Sequence, residues 1–171
     1  LDENGVPVSI MIKQTKQSNM LIEEFMLLAN KLVAQQIAIP KSGSVKPFVY
    51  RIHDIPDQEK IVEFSRFVKT LGYSFDPNAS SKSIGFQNLL NQVKGKEEEA
   101  LINELAIRSM AKAIYSPDNI GHYGLGFKYY SHFTSPIRRY SDLIVHRLLF
   151  NYKNLKSGEI YSLAQLEEIC E

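Results

Sequence analysis

Between Ser131 and Arg147 the chain reads SHFTSPIRRYSDLIVHR, gathering three arginines, two histidines and an aspartate around an expected helix start. Ser135 is the expected cap, Pro136 presets φ at the first helical position, and Arg138 and Arg139 fall in the first turn. A helix N-terminus already carries roughly half a positive charge and several unpaired N–H groups. Two guanidiniums added there require an anion. A phosphate fits, since it takes main-chain N–H bonds and bidentate arginine bonds together. Thr134 and Ser135 add hydroxyl donors, and Tyr123, Phe127, Tyr129, Tyr130, His132 and Phe133 bring rings to the same stretch. Charge for a backbone and faces for bases are what single-stranded nucleic acid needs. Asp142 lies four residues after Arg138 and three after Arg139, so it can hold one of them. The plainer account of the same residues is a surface ion pair beside core aromatics.

These residues need elements to carry them. Val6 to Lys13 alternates loosely after Asn4–Gly5 and reads as a strand. Ser18 or Asn19 can cap the helix that follows. From Leu21 to Ile39, Leu21, Ile22, Phe25, Met26, Leu28, Leu32, Val33 and Ile37 recur at helical spacing, with Pro40 as the stop. After a polar connection, Lys41 to Lys46, the residues Phe48 to Ile52 read as a short extended segment. Asp57 to Leu71 carries one apolar helical face ending at Gly72, a loop spans Tyr73 to Ser83, and Ile84 to Val93 is a short helix. Lys96 to Tyr115 reads as a second long helix with Leu101, Ile102, Leu105, Met110, Ala113 and Ile114 inward. YGLGF, residues 123–127, is a candidate strand. In the last long helix Ile137, Tyr140, Leu143, Ile144 and Leu148 form the expected buried stripe, with Arg138, Arg139, Asp142 and His146 off it or at its edge. The fold class expected is α+β, mainly helical, in one structural unit.

Composition excludes several classes. Of 171 residues, 44% are apolar and 23% charged, ordinary for a globular protein, and a formal net charge of +1 means that any basic function comes from local clustering. The single cysteine, Cys170, allows no disulfide framework within the chain and fits a reducing compartment. No cysteine or histidine spacing has the form of a zinc site.

The run NIGHYGLGFKYYSHFTSPIRRYSDLIVHRLL, Asn119 to Leu149, closely resembles the signature of the RNB catalytic domain of the ribonuclease R and ribonuclease II exoribonucleases. LIEEFMLLANKLVAQ, Leu21 to Gln35, resembles the family's Glu-Glu helix, and PFVYRIHDIPDQEKIVEFSRFVKTLG its Tyr-Arg-x-His segment. The resemblance covers nearly the whole chain and lies nearer the bacterial ribonuclease R branch. It implies hydrolysis of single-stranded RNA from the 3′ end to nucleoside 5′-monophosphates. It also implies magnesium held by aspartates, RNA as partner, no membrane, and action in cytoplasmic RNA turnover. It makes Arg138 the catalytic arginine. Glu23 or Glu24 becomes the ribose contact, and Arg139, Tyr123, Tyr130, His132, Thr134 and Ser135 the residues shaping the RNA site.

One departure bears on activity. The family's clustered aspartates are absent, since Asp54, Asp57, Asp76 and Asp118 are scattered. Both ends read as cut, LDENGVPVSIMIK opening as if in mid-strand and LAQLEEICE stopping within a helix. The expectation is therefore residues 1–171 as the C-terminal part of an RNB catalytic domain, inactive alone because its metal ligands lie upstream. Arg51 and His53 either face the RNA or form a structural pair with Asp54. His122 and His132 are read as stacking or hydrogen-bonding rings rather than metal ligands, because hard cations prefer oxygen. The rival functions are an RNA-binding module without catalysis, and a purely structural role for the arginines.

Overall fold

The computed structural model describes residues 3–6, 8–9, 15–39, 46–76, 82–153 and 160–170. The chain is mainly helical. Helix α1 spans Gln17–Ala38, α2 Gln58–Thr70, α3 Lys82–Val93, α4 Glu99–Ser109, α5 Tyr140–Lys153 and α6 Leu163–Cys170. Strands β1 (Tyr50–Ile52) and β2 (Ile114–Ser116) pair antiparallel, with Arg51 opposite Tyr115. Residues 6, 8 and 9 of the expected strand are not in a strand, and its other positions, Pro40, most of the connection after it, and residues 77–81 of the expected loop lie outside the described residues.

Buried side chains gather in two clusters. In one, Ala34 and Ile37 of α1, Phe48 to Ile52 around β1, Ile144, Val145 and Leu148 of α5, and Leu166 of α6 pack together. In the other, Ile61, Phe64 and Val68 of α2, Phe86, Leu89 and Val93 of α3, and Ile102 and Ala106 of α4 close around Phe75. Each fully buried Leu, Ile or Phe contributes about 1.5–3 kcal/mol, so both clusters are substantial. The α2 start matches its sequence signals, for Asp57 accepts the Glu59 N–H at 2.8 Å. The α2 end does too, at Gly72 with φ +84°.

Three expectations about elements are overturned. First, α1 begins at Gln17 with Lys16 as its cap, and Asn19 accepts the Lys16 N–H from within the first turn. Its buried positions are Asn30, Ala34 and Ile37, while Leu21, Phe25, Leu28 and Leu32 are exposed along the opposite face. The spacing 21, 25, 28 and 32 is a continuous apolar stripe, so α1 is apolar on two sides and one is uncovered. Second, the long helix over 96–115 is shorter. It stops at Ser109, and Ile114 is an exposed strand residue. The Ala111 carbonyl is taken by His53 Nε2 at 2.8 Å, and residues 114–116 supply the partner strand for β1. A helix through these positions would withdraw both. Third, YGLGF is a 3₁₀ turn over Tyr123–Leu125 closed by Gly126 at φ +66°. His122 and Phe127 bond across its mouth, N–H to carbonyl at 2.8 Å in one direction and 3.2 Å in the other.

Candidate functional site

The site residues lie on the segment from Gly121 to Asp142, held between α1, β1 and α5. Its first part is fixed by His53. The Gly124 N–H donates to His53 Nδ1 at 2.8 Å while His53 Nε2–H reaches the Ala111 carbonyl, so both ring nitrogens are engaged and the tautomer is set. A Cβ on Gly124 would lie 2.7 Å from His53 Nδ1, so only glycine fits there. His53 thus has main-chain partners, and Asp54 instead accepts the Ile55 N–H at 2.7 Å. This replaces the expected His53–Asp54 pair.

From there a chain of rings runs along the segment. His122 meets His53 and Tyr130 edge-on at 5.0 and 5.3 Å, and Tyr130 meets His132 at 5.8 Å. Tyr115 and His132 Nδ1 share a 2.8 Å hydrogen bond, and the Arg51 guanidinium lies 4.5 Å above the Tyr115 ring. Tyr130 is buried, so its ring stiffens the wall of the site. Tyr123 and His132 are half-buried. A cleft of about 500 Å³ opens beside them, lined by His122, Tyr123, Phe127 and Lys128 among others, with Arg138, Arg139 and Asp142 outside it.

Burial pushes the His122 imidazole down to about 4, helped by neighbouring His53 and Arg51. Burial likewise pushes His132 down to about 4, with the Arg139 charge adding and the Asp142 charge opposing. Unfolding returns both to the ordinary value of 6.5. Between those values the unfolded chain binds more protons than the folded one, so stability is full above about pH 6.5 and falls as pH drops toward about 4. Urea midpoints at about pH 7 and pH 4.5 are expected to show this loss, and His122→Gln/His132→Gln to flatten it. An equal loss in the double variant would assign the pH dependence to other groups.

The arginine turn differs from its expected form. Residues 136–138 make a turn and α5 begins at Tyr140, so Arg138 and Arg139 precede the helix instead of occupying its first turn. The Ser135 carbonyl accepts the N–H groups of Arg138 at 3.2 Å and Arg139 at 3.1 Å. The Phe133, Thr134 and Ser135 N–H groups are also taken, by Asn30 and Asp142. Anion binding here therefore falls to side chains, not to these main-chain groups. The buried arc of α5 is turned toward Ser141, Ile144, Val145 and Leu148. Ile137 and Tyr140 are exposed as a result, and Asp142, expected at the edge, is completely buried. One Asp142 oxygen accepts the Ser135 N–H and the Arg139 guanidinium, both at 2.8 Å. The expected aspartate–arginine contact thus falls on Arg139. Arg138 is exposed and its side chain has no hydrogen-bond or ion-pair partner among the described residues.

Among the described residues, three buried side-chain polar atoms lack a partner: Tyr123 Oη, Thr134 Oγ1 and Arg139 Nε. Each belongs to the RNA-contact set expected from sequence, and buried polar atoms without partners are rare. Glu23 and Glu24 are both exposed on α1. Glu23 lies seven residues before Asn30, on the same helical face, whereas Glu24 is turned about 100° from it. Asn30 itself, which grips residues 130–134, was not legible as a site residue, since in sequence it only interrupts an apolar run. Among the described residues no three His, Cys, Asp or Glu side chains converge as a metal site. Asp142 is occupied by its donors, so the described residues do not form a magnesium site. No described helix is long and apolar enough to cross a membrane.

The chain belongs to the RNB domain family: residues 1–154 match the RNB domain. Its relatives include the ribonuclease R of Aquifex aeolicus, 41% identical over 98% of this chain and 23% of that protein. Mycoplasma genitalium RNase R in complex with ribose-methylated single-stranded RNA superposes with a TM-score of 0.84 at 31% identity, covering 99% of this chain and 27% of that one. Yeast Ssd1, a pseudonuclease, is also similar, with a TM-score of 0.72 at 26% identity over 89% of this chain and 19% of that one. The chain spans about a quarter of the length of the ribonuclease R relatives.

Proposed function

We propose that this chain is part of a 3′–5′ exoribonuclease that hydrolyses single-stranded RNA processively to nucleoside 5′-monophosphates in cytoplasmic RNA turnover. The observation that carries this is the exposed guanidinium of Arg138, without a hydrogen-bond or ion-pair partner among the described residues, on a turn whose main-chain N–H groups are fixed from within. In the proposed reaction Arg138 binds the scissile phosphate and stabilises the charge that develops on it during attack by water. Tyr123, Thr134 and Arg139, each with a buried polar atom that lacks a partner among the described residues, are the further RNA-site residues. Glu23 is the better placed of the two glutamates for the ribose. Magnesium, the metal that the resemblance implies, supplies water activation in this reaction class. Its carboxylate ligands belong to the remaining length of a protein the size of the relatives. By itself the 171-residue chain is therefore a binder without turnover.

A second reading, an RNA-binding relative without catalysis, is favoured by the likeness to a pseudonuclease. Both readings meet the same first experiment: end-labelled single-stranded RNA mixed with the purified chain and magnesium at two salt concentrations. The expected result is salt-sensitive binding without shortening, because phosphate contacts release counterions. Stepwise loss from the 3′ end that disappears in Arg138→Ala would show that metal ligands are present in this chain after all. Absence of binding at low salt would remove the RNA site from the isolated chain. The two readings part in the whole protein, where magnesium-dependent decay supports the enzyme and intact RNA supports the binder.

A further inference from the structure

Asn30 sits in the middle of α1, among apolar residues, only 4% exposed. A buried carboxamide has two acceptor sites and two donors to satisfy. Here Oδ1 accepts the Phe133 N–H at 2.9 Å and the Thr134 N–H at 3.2 Å, and Nδ2 donates to the Tyr130 hydroxyl at 3.1 Å. The partners lie at least 100 residues away along the chain, so this one side chain fastens α1 to the segment that leads into the arginine turn. The next N–H, that of Ser135, is held by fully buried Asp142. The Ser135 carbonyl then receives the N–H groups of Arg138 and Arg139. An unbroken series of hydrogen bonds and peptide units thus runs from Asn30 to Arg138. Among the described residues the Arg138 side chain has no hydrogen bond or ion pair to hold it, so its position follows this backbone.

We infer that Asn30 is a positioning residue for Arg138: its grip on the Phe133 and Thr134 N–H groups sets where the guanidinium stands relative to the scissile phosphate. The inference rests on the exoribonuclease reading and deepens it. It also accounts for a polar residue in a helix core where an aliphatic side chain would leave two N–H groups unpaired. Because α1 carries Glu23 two turns earlier on the same face, the clamp also registers that helix against the arginine turn.

The test is a double-mutant cycle on single-turnover hydrolysis of a short RNA by the whole enzyme. Asn30→Ala is expected to lower kcat about 100-fold, the scale of a misplacement near 1 Å, with KM changed less than about threefold. In an Arg138→Ala background the same substitution is expected to change the residual rate less than about threefold, because the group it positions is gone. An equal loss in both backgrounds would mean that Asn30 only supports the fold, and would overturn the inference while leaving the function standing. If Arg138→Ala itself leaves hydrolysis unchanged, the functional reading falls and the inference falls with it. Should Asn30→Ala not fold, Asn30→Ser runs the same cycle, since its short hydroxyl pairs at most one of the two N–H groups.

Discussion

Arg138→Ala in the whole enzyme lowers kcat by about 10²–10³-fold, equivalent to about 2.7–4 kcal/mol, the range found when one donor to a developing oxyanion is removed. It is expected to leave the melting temperature nearly unchanged. The two halves of this prediction have separate causes. The guanidinium is exposed and has no hydrogen-bond or ion-pair partner among the described residues, so folding loses neither there. Its main-chain N–H bonds to the Ser135 carbonyl, and alanine preserves that bond. The activity loss comes from the reaction alone, because a planar fork that pairs two phosphate oxygens has no substitute among the residues around it. Arg139 cannot replace it, since its guanidinium is already engaged at 2.8 Å by Asp142. Arg138→Lys is expected to recover only part of the rate, a point charge replacing a bidentate contact. The measurement is single-turnover hydrolysis beside a thermal melt of the same preparation. A large fall in melting temperature would assign Arg138 to the fold, and an unaltered rate would remove it from the site.

Where local chemistry and tertiary demand agree, the chain was readable from its residues. Asp57, the apolar face of α2 and Gly72 state a start, a middle and an end that nothing elsewhere contradicts. The Arg-Arg pair and Asp142 likewise announced an internal brace, which the structure places between Asp142 and Arg139. The misreadings share a physical origin, a demand made from far along the chain. Residues 110–116 have helix-compatible spacing, yet β1 needs a partner strand and His53 needs the Ala111 carbonyl, so the helix ends early. Tyr-Gly-Leu-Gly-Phe alternates like a strand, yet the left-handed Gly126 folds it into a turn against His53. The apolar positions of α1 predicted a buried face and periodicity alone could not say which. The structure buries Asn30, Ala34 and Ile37, and the more conspicuous stripe from Leu21 to Leu32 faces outward. Asn30 illustrates the limit most sharply. Its three hydrogen bonds reach residues 130–134, and no local pattern announces a partner at that separation.

Asp142→Ala is expected to destabilise the domain by about 3 kcal/mol and to lower activity as well. The stability figure is the lower end of the range for breaking a buried ion pair from one side, chosen because the Arg139 side chain is still 21% exposed while Asp142 is 0% exposed. Losing the carboxylate leaves the Ser135 N–H and the Arg139 guanidinium without their common acceptor, both in a place that water reaches poorly. For a chain of this size the loss corresponds to a fall in melting temperature of roughly 6–12 °C. Asp142→Asn is expected to lose less, because a carboxamide oxygen can still accept the Ser135 N–H while only the charge contact with Arg139 goes. The Arg108–Glu104 pair gives the internal comparison. It is also an ion pair between residues close in sequence, at 2.5 Å, but its side chains are 71% and 59% exposed. Glu104→Ala is accordingly expected to change stability by about 0.5 kcal/mol or less. The contrast sets a buried pair that also holds the Ser135 N–H against an exposed pair of similar sequence separation. Equal melting temperatures for Asp142→Ala and Glu104→Ala would show that the Asp142 carboxylate braces nothing, and the rigid turn that presents Arg138 would then need another support.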